Sequence, residues 1–129
     1  MGKRQIEADI DAAYKALQDT GIAKDNKVDK AFRGQVSSFG AAVTMGSLRA
    51  AVAFFSQRGG SAVDRAALMD AILQVLRATN PQTYGAEKYK NLYDLVDDLP
   101  DAREDVLDAA TALKLAMNLY ELTEPTDGQ

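Results

Sequence analysis

Apolar residues along this chain recur mainly at spacings of three and four, which is the period of an α-helix. One clear ladder consists of Phe32, Val36, Phe39 and Val43. We expect its helix to begin near Asn26 or Lys27, because Asn26 can accept a hydrogen bond from an orphan amide of the first turn. Asp29 lies three residues after Asn26, where its carboxylate can offset the unpaired amides of the first turn.

The same spacing predicts three other helices in the first two thirds of the chain. The first covers about Gln5–Leu17, and Thr20-Gly21 ends it. The third begins after an N-cap at Ser47 and continues through Gln57. The fourth begins at a capping box of Ser61 and Asp64. The predicted core positions of the first and fourth helices are Ile6, Ile10, Ala13, Leu17, Leu68, Met69, Ile72, Val75 and Leu76.

Two more helices follow the loop TNPQTYG. The fifth covers about Ala86–Val96, and the last runs from an N-cap at Asp101, with Glu104 at the box position, to about Leu122. Their predicted core positions are Tyr89, Leu92, Tyr93, Val96, Val106, Ala109, Leu113, Met117 and Tyr120. No strand pattern persists anywhere. We therefore expect an all-α fold, a compact bundle of about six helices in a single domain, 1–129, with a frayed tail at about 124–129.

Three interpretations are open for the most apolar segment, Val43–Gly60: a membrane anchor, a core helix, or a surface that binds a partner. It is far shorter than the roughly 20 apolar residues that a membrane span needs. We interpret it as a core-packing helix that ends at Gly59-Gly60. Arg49 and Arg58 are then left at the surface. Phe54 is the aromatic residue that we expect in the core. Phe55 is a weaker core candidate, because adjacent helical residues point about 100° apart.

Composition argues against catalysis. The chain has no histidine, which is the usual general base, and no cysteine. The densest carboxylate cluster, Asp94–Asp105, would suit Mg²⁺ or Ca²⁺, but it lacks EF-hand spacing and also fits a solvated helix end. The segment RGGS could suggest a phosphate-binding loop, but it lacks a Walker pattern and a preceding strand. We expect no enzyme activity, cofactor or metal, and the lack of cysteine and of a signal-peptide start predicts a cytoplasmic location.

Charge is unevenly distributed along the chain, whose formal net charge is −4. Residues 24–66 carry seven basic and three acidic residues, whereas residues 67–129 carry five basic and twelve acidic residues. The spacing of three between the first four cations would spread them over about half of a helix surface. Such a patch can neutralise RNA phosphates without reading sequence. The candidate RNA-binding residues are Lys24, Lys27, Lys30, Arg33, Arg49, Arg58 and Arg65.

The segment SFGAAVTMGSLRAAVAFFSQRG, Ser38–Gly59, resembles a signature of the small all-helical subunit of the type III-B CRISPR (Cmr) RNA-targeting complex. In that pattern a proline-led apolar turn precedes Asn-Gly-Leu, and a short Ala-rich helix then ends in aromatic and basic residues. Val43 takes the apolar position and Leu48 the leucine position. Val52–Phe54 take the apolar-Ala-aromatic positions, and Arg58 takes the terminal basic position.

The chain departs from that pattern twice, because Gly40 replaces the usual proline and Gly46-Ser47 replaces Asn-Gly. The segment DVLDAATALKLAMNLYELTE also looks like the closing helix of the family. The resemblance implies a non-catalytic structural subunit that stacks along the complex, with possible self-association, and helps to hold target RNA against the guide. Its partners would be other subunits and the RNA backbone, with no membrane. The alternative is a helical protein-interaction adaptor without RNA contact.

Overall fold

The computed structural model describes residues 3–57 and 64–124. The described part of the chain is mostly helical, with one small sheet, which confirms the expected all-α bundle. Its seven α-helices are α1 (Lys3–Asp19), α2 (Ala31–Met45), α3 (Leu48–Phe55), α4 (Arg65–Thr79), α5 (Pro81–Tyr84), α6 (Leu92–Asp98) and α7 (Arg103–Met117). Its three strands are β1 (Ala23–Lys24), β2 (Lys27–Asp29) and β3 (Glu121–Thr123).

The centre of the bundle is the contact of α1 with α7 and α4. Alanines fill fully buried positions on both α1 and α7, among them Ala13, Ala109, Ala112 and Ala116. Because a methyl group is the whole side chain, helix backbones can approach closely at such positions. Beyond the end of α7, the rings of Tyr14 and Tyr120 stack with centroids 4.7 Å apart. The Tyr120 hydroxyl donates a 2.8 Å hydrogen bond to the Tyr14 carbonyl.

Helix α2 buries the predicted ladder completely, with Phe32, Val36, Phe39 and Val43 all in the core. Its predicted start was wrong. Asn26 does not cap a helix; it adopts a positive φ of 65°, next to Asp25 at 53°, in the turn between β1 and β2. Asn and Asp tolerate this left-handed conformation better than other non-glycine residues, which favours a hairpin turn at this position.

The small sheet also corrects the expectation that no strand would form. It has the order β1-β2-β3, with β1 and β2 antiparallel and β2 and β3 parallel. Val28 is the buried residue of β2, and it pairs with Ala23 on one side and Leu122 on the other. The predicted last helix was therefore too long, because α7 ends at Met117 and the residues beyond it turn into β3.

Helix α3 begins as predicted, since the Ser47 side chain accepts a 3.0 Å hydrogen bond from the Ala50 amide. The two adjacent phenylalanines have the opposite roles to those expected. Phe55 is buried and meets Phe39 of α2 edge to face, with centroids 5.3 Å apart. Phe54 is 53% exposed. Because Phe39 occupies the interior beside α3, the core accepts only the aromatic residue that points toward α2.

Helix α4 buries all five predicted core residues. Its cap is Asp64 itself, whose carboxylate accepts from the Ala66 and Ala67 amides. Ser61, Gly59, Gly60 and Arg58 lie outside the described residues, as does the expected frayed tail from residue 125 onward. The predicted buried faces of α1 and α7 are confirmed at Ala13, Leu17, Val106, Ala109, Leu113, Met117 and Tyr120.

The region between α4 and α7 differs most from expectation. The loop TNPQTYG contains α5, and the fifth predicted helix begins only at Leu92, where the Asn91 side chain caps it. Arg77 holds the intervening loop by donating to the carbonyls of Tyr84, Ala86 and Tyr89. Asp101 is not a cap, because Pro100–Ala102 form a 3₁₀ turn that leads into α7.

Within the described residues, no helix is both long enough and apolar enough to cross a membrane.

We expect Ser47→Ala to lower the free energy of unfolding by about 1 kcal/mol, because the Ala50 amide loses its acceptor. Urea unfolding followed by circular dichroism measures the loss. The matched control is Ser38→Ala, at an exposed position within α2. Alanine has the higher helix propensity there, so stability stays constant or rises slightly. Equal losses in the two variants would contradict the capping role of Ser47.

Burial raises the pKa of Tyr120 to about 12, and the contact with Tyr14 acts in the same direction. Because the pKa of an unfolded tyrosine is about 10, the neutral phenol contributes its full stability below pH 10 and loses it as the pH rises toward 12. We expect Tyr120→Phe to reduce the loss of unfolding free energy between pH 10 and 12. Urea titrations across that range test this, and an unchanged pH dependence would contradict it.

Candidate RNA-contact surface

Four of the seven candidate cations lie on the hairpin and at the beginning of α2. We call Lys24, Lys27, Lys30 and Arg33 the hairpin cations. Lys24 and Lys27 are both exposed and stand directly opposite each other across the β1-β2 ladder. Side chains at directly opposite positions are neighbours on one face of a sheet, and like charges there are destabilising.

The hairpin cations do not frame a helix face as their spacing suggested. Lys24 is on β1, Lys27 on β2, Lys30 precedes α2, and only Arg33 is helical. The expected spread around one helix is therefore wrong. The strand pairing nevertheless brings Lys24 beside Lys27, and the Arg33 amide donates to the Lys30 carbonyl at 3.1 Å.

Strand β3 brings acidic residues to the hairpin cations, which the separation of charge along the sequence did not predict. Glu121 stands opposite Lys27 in the parallel β2-β3 pair. Glu124 accepts a 3.1 Å hydrogen bond from the Lys30 ammonium group, and both side chains are largely exposed. With Asp25 and Asp29, the hairpin, the start of α2 and the β3 region hold four carboxylates for four cations. The surface is therefore mixed in charge.

Three of the hairpin cations have no carboxylate within ion-pair distance among the described residues: Lys24, Lys27 and Arg33. Arg33 is partly buried, and its Nε is buried without a hydrogen-bond partner in this part of the chain. An external anion cannot reach that buried atom. Among the described residues, these three side chains are the hairpin cations whose charge no carboxylate neutralises directly.

Arg49, on α3, is already engaged within the chain. Its guanidinium lies 3.2 Å from the Asp97 carboxylate and donates a 3.2 Å hydrogen bond to the Tyr93 hydroxyl. The Tyr93 hydrogen bond, followed by the charges of Tyr93 and Asp97, raises the pKa of Arg49. Tyr93 was predicted as a core residue. Its role in holding Arg49 depends on the packing of α3 against α6, which no local sequence signal indicates.

Arg65 stacks on the two phenylalanines of α3. Its guanidinium carbon lies 4.8 Å from the Phe54 ring centroid and 5.3 Å from that of Phe55. Its Nε is buried without a hydrogen-bond partner among the described residues, and no carboxylate there forms an ion pair with it. Arg49 and Arg65 thus belong to a second group, on α3 and α4, while Arg58 lies outside the described residues.

The carboxylates of Asp94–Asp105 are divided among separate partners. Asp97 pairs with Arg49, while Asp98 accepts from the Tyr89 hydroxyl at 2.6 Å and pairs with Lys88 at 3.2 Å. These two contacts hold the pKa of Asp98 below its ordinary value. Asp105 accepts a hydrogen bond from the buried Tyr84 hydroxyl. Among the described residues, no three acidic side chains converge closely enough to hold a metal ion.

Comparisons of the chain with protein-family models, with curated proteins and with solved structures find no match.

We expect Lys24→Glu to raise the free energy of unfolding by about 0.2–1 kcal/mol at low salt, because a favourable cross-strand pair with Lys27 replaces a repulsive one. Urea unfolding at about 20 mM and 500 mM salt tests this, since screening removes the gain at high salt. The control Lys90→Glu makes the same change at an exposed lysine outside the sheet. An equal gain in the control would show that net charge, not the strand pair, is responsible.

Proposed function

We propose that this chain is a non-catalytic, cytoplasmic subunit of an RNA-guided effector complex of the type III-B CRISPR (Cmr) kind. In this proposal it stacks beside the subunits that carry the guide and contacts the RNA backbone. Two observations are compatible with that role: the helical bundle and the resemblance of Ser38–Gly59 to the small-subunit signature. Further copies of the chain and other subunits of the complex would be its protein partners.

The observation that carries the RNA contact is the set of hairpin cations that have no carboxylate within ion-pair distance among the described residues, Lys24, Lys27 and Arg33. The fold places two lysines opposite each other at a cost in stability, and phosphate groups would relieve their repulsion. Lys30 contributes in this proposal at the edge of the hairpin, where it must exchange its Glu124 partner for a phosphate. Arg49 and Arg65 form the separate group on α3 and α4 and are not part of the hairpin contact.

The neighbouring carboxylates set the expected strength of this contact. Glu121 and Glu124 lower the local positive potential, so the isolated chain should bind RNA weakly and with strong salt dependence. Within an assembly, repeated weak contacts along one strand add through effective concentration. Such contacts read the shape of the backbone and not the bases.

The second candidate is a helical adaptor that binds proteins and no RNA. The observation that favours it is the exposure of large apolar side chains, above all Met45 at 86% and Leu119 at 59%. Co-expression with the other subunits of a candidate effector complex separates the two functions. Co-purification with those subunits and with RNA supports the first function, and a chain that stays free of both at low salt contradicts it.

Charge reversal within the assembled complex tests the surface itself. We expect the combined variant Lys27→Glu/Lys30→Glu/Arg33→Glu to weaken target-RNA binding while the protein subunits still co-purify. Unchanged RNA affinity would place the contact elsewhere.

We also expect Lys24→Gln/Lys27→Gln to reduce the slope of log K against log salt by about 1.4 for single-stranded RNA, because two phosphate contacts are lost at about 0.7 each. Fluorescence polarisation with a labelled oligouridylate measures the slope from about 20 mM salt upward. The matched control is Lys88→Gln/Lys90→Gln, two exposed lysines two residues apart in the loop before α6. If both double variants change the slope equally, the hairpin is not the binding surface.

A further inference from the structure

A groove of about 650 Å³ lies between α3 and α6, at the side of the bundle where Arg49 meets Tyr93. Leu48 and Val96 are buried residues at its base, whereas Ala50 and Ala53 are exposed along α3. The remaining lining consists of Gly46, Ser47, Arg49, Tyr93, Pro100 and Arg103. The groove is therefore mainly apolar in character, with two guanidinium groups among its lining residues.

The apolar surface continues beyond the groove along α3. Phe54 is four residues after Ala50, so both lie on the same side of the helix. Phe54 is 53% exposed, whereas Phe55, the other phenylalanine of α3, is buried. An aromatic side chain exposed beside an apolar groove is typical of an anchor point in a protein interface. The apolar strip thus continues from the groove residues Ala50 and Ala53 to Phe54, which lies outside the groove lining, and this favours an elongated occupant over a compact small molecule.

The charges around this strip favour an occupant with a carboxylate. Arg49 and Arg103 already pair with Asp97 and Glu104. Arg65, stacked on Phe54, forms no ion pair among the described residues, and its buried Nε has no hydrogen-bond partner there. Among the described residues, Arg65 is thus the guanidinium beside the strip that has no carboxylate partner, and a guanidinium fork matches a carboxylate in geometry.

We propose that the α3-α6 groove and Phe54 form a docking site for a short segment of a partner protein in which an apolar residue stands next to a carboxylate. The apolar side chain enters the groove against Val96 and Ala53, and the carboxylate meets Arg65. This inference rests on the proposed function only in requiring a protein neighbour. RNA fits the site less well, because Asp97 and Glu104 stand beside its other two arginines and would repel phosphates.

Selection from a phage-displayed library of random 12-residue peptides tests the site on the full chain. Peptides are selected on the unmodified protein and counter-selected on Ala53→Glu, which places a charge in the groove at an exposed helical position. We expect the enriched peptides to combine an apolar residue with a neighbouring Asp or Glu. Enrichment of peptides without an acidic residue, or no enrichment above the counter-selected background, would overturn the proposal.

Binding of an enriched synthetic peptide, measured by fluorescence anisotropy, locates the contact. We expect Ala53→Glu and Arg65→Gln each to weaken it at least tenfold, with circular dichroism of both variants unchanged. The matched control Ala86→Glu makes the same alanine substitution at an exposed loop position and should leave affinity within about twofold. If Arg65→Gln binds as tightly as the unmodified protein, the assignment of the carboxylate to Arg65 is wrong.

Two further measurements keep this site separate from the RNA-contact surface. An oligouridylate RNA should not displace the peptide, and displacement would assign the groove to RNA and overturn the proposal. Lys24→Gln/Lys27→Gln should bind the peptide normally. A hairpin variant that loses RNA binding and retains peptide binding affects the hairpin contact alone. A groove variant that loses peptide binding and retains RNA binding affects the groove contact alone. A peptide that is lost in both the hairpin and the groove variants would contradict a separate site.

Discussion

The stacked rings of Tyr14 and Tyr120 determine what surrounds the hairpin cations. The stack and the hydrogen bond from the Tyr120 hydroxyl to the Tyr14 carbonyl hold the chain against α1 directly after α7 ends. From that fixed point the chain reaches β2 and pairs with it in parallel. Together with the β2-β3 ladder, this attachment keeps Glu121 and Glu124 beside Lys27 and Lys30. The electrostatics of the candidate surface therefore depend in part on an aromatic contact between α1 and the residue that precedes β3.

The helical architecture could be predicted from sequence because each buried face is a local pattern. The ladder of α2 and the core positions of α4 and α7 required only spacing and side-chain type. Failures occurred where one residue type serves two structures. Asn26 is as suitable for a left-handed turn as for an N-cap, and its neighbour Asp25 shares that property. Tyr120 fits the helical period of α7 and is buried, yet it lies beyond the end of the helix.

The candidate surfaces were only partly accessible from sequence, because most of their contacts join distant segments. The excess of basic residues between positions 24 and 66 was visible, whereas the pairing of Arg49 with Asp97 was not. Phe54 and Phe55 illustrate the same limit. Only the position of Phe39 across the interface decides which ring is buried. The structure consequently divides one basic stretch into a hairpin surface and an α3-α6 groove that differ in polarity and in available charge.

The parallel pairing of β2 with β3 also determines when the hairpin surface can form. Lys30 and Glu124 meet across a separation of 94 residues, so a long loop must be closed before the sheet is complete. Closing so long a loop costs entropy that short-range helical contacts do not incur. Long-range contacts such as the β2-β3 pairing therefore tend to form late in folding. During synthesis, the hairpin stays without its third strand until residues 121–123 have emerged. The sheet thus joins early and late parts of the polypeptide, and partly synthesised or incompletely folded chains lack the finished surface.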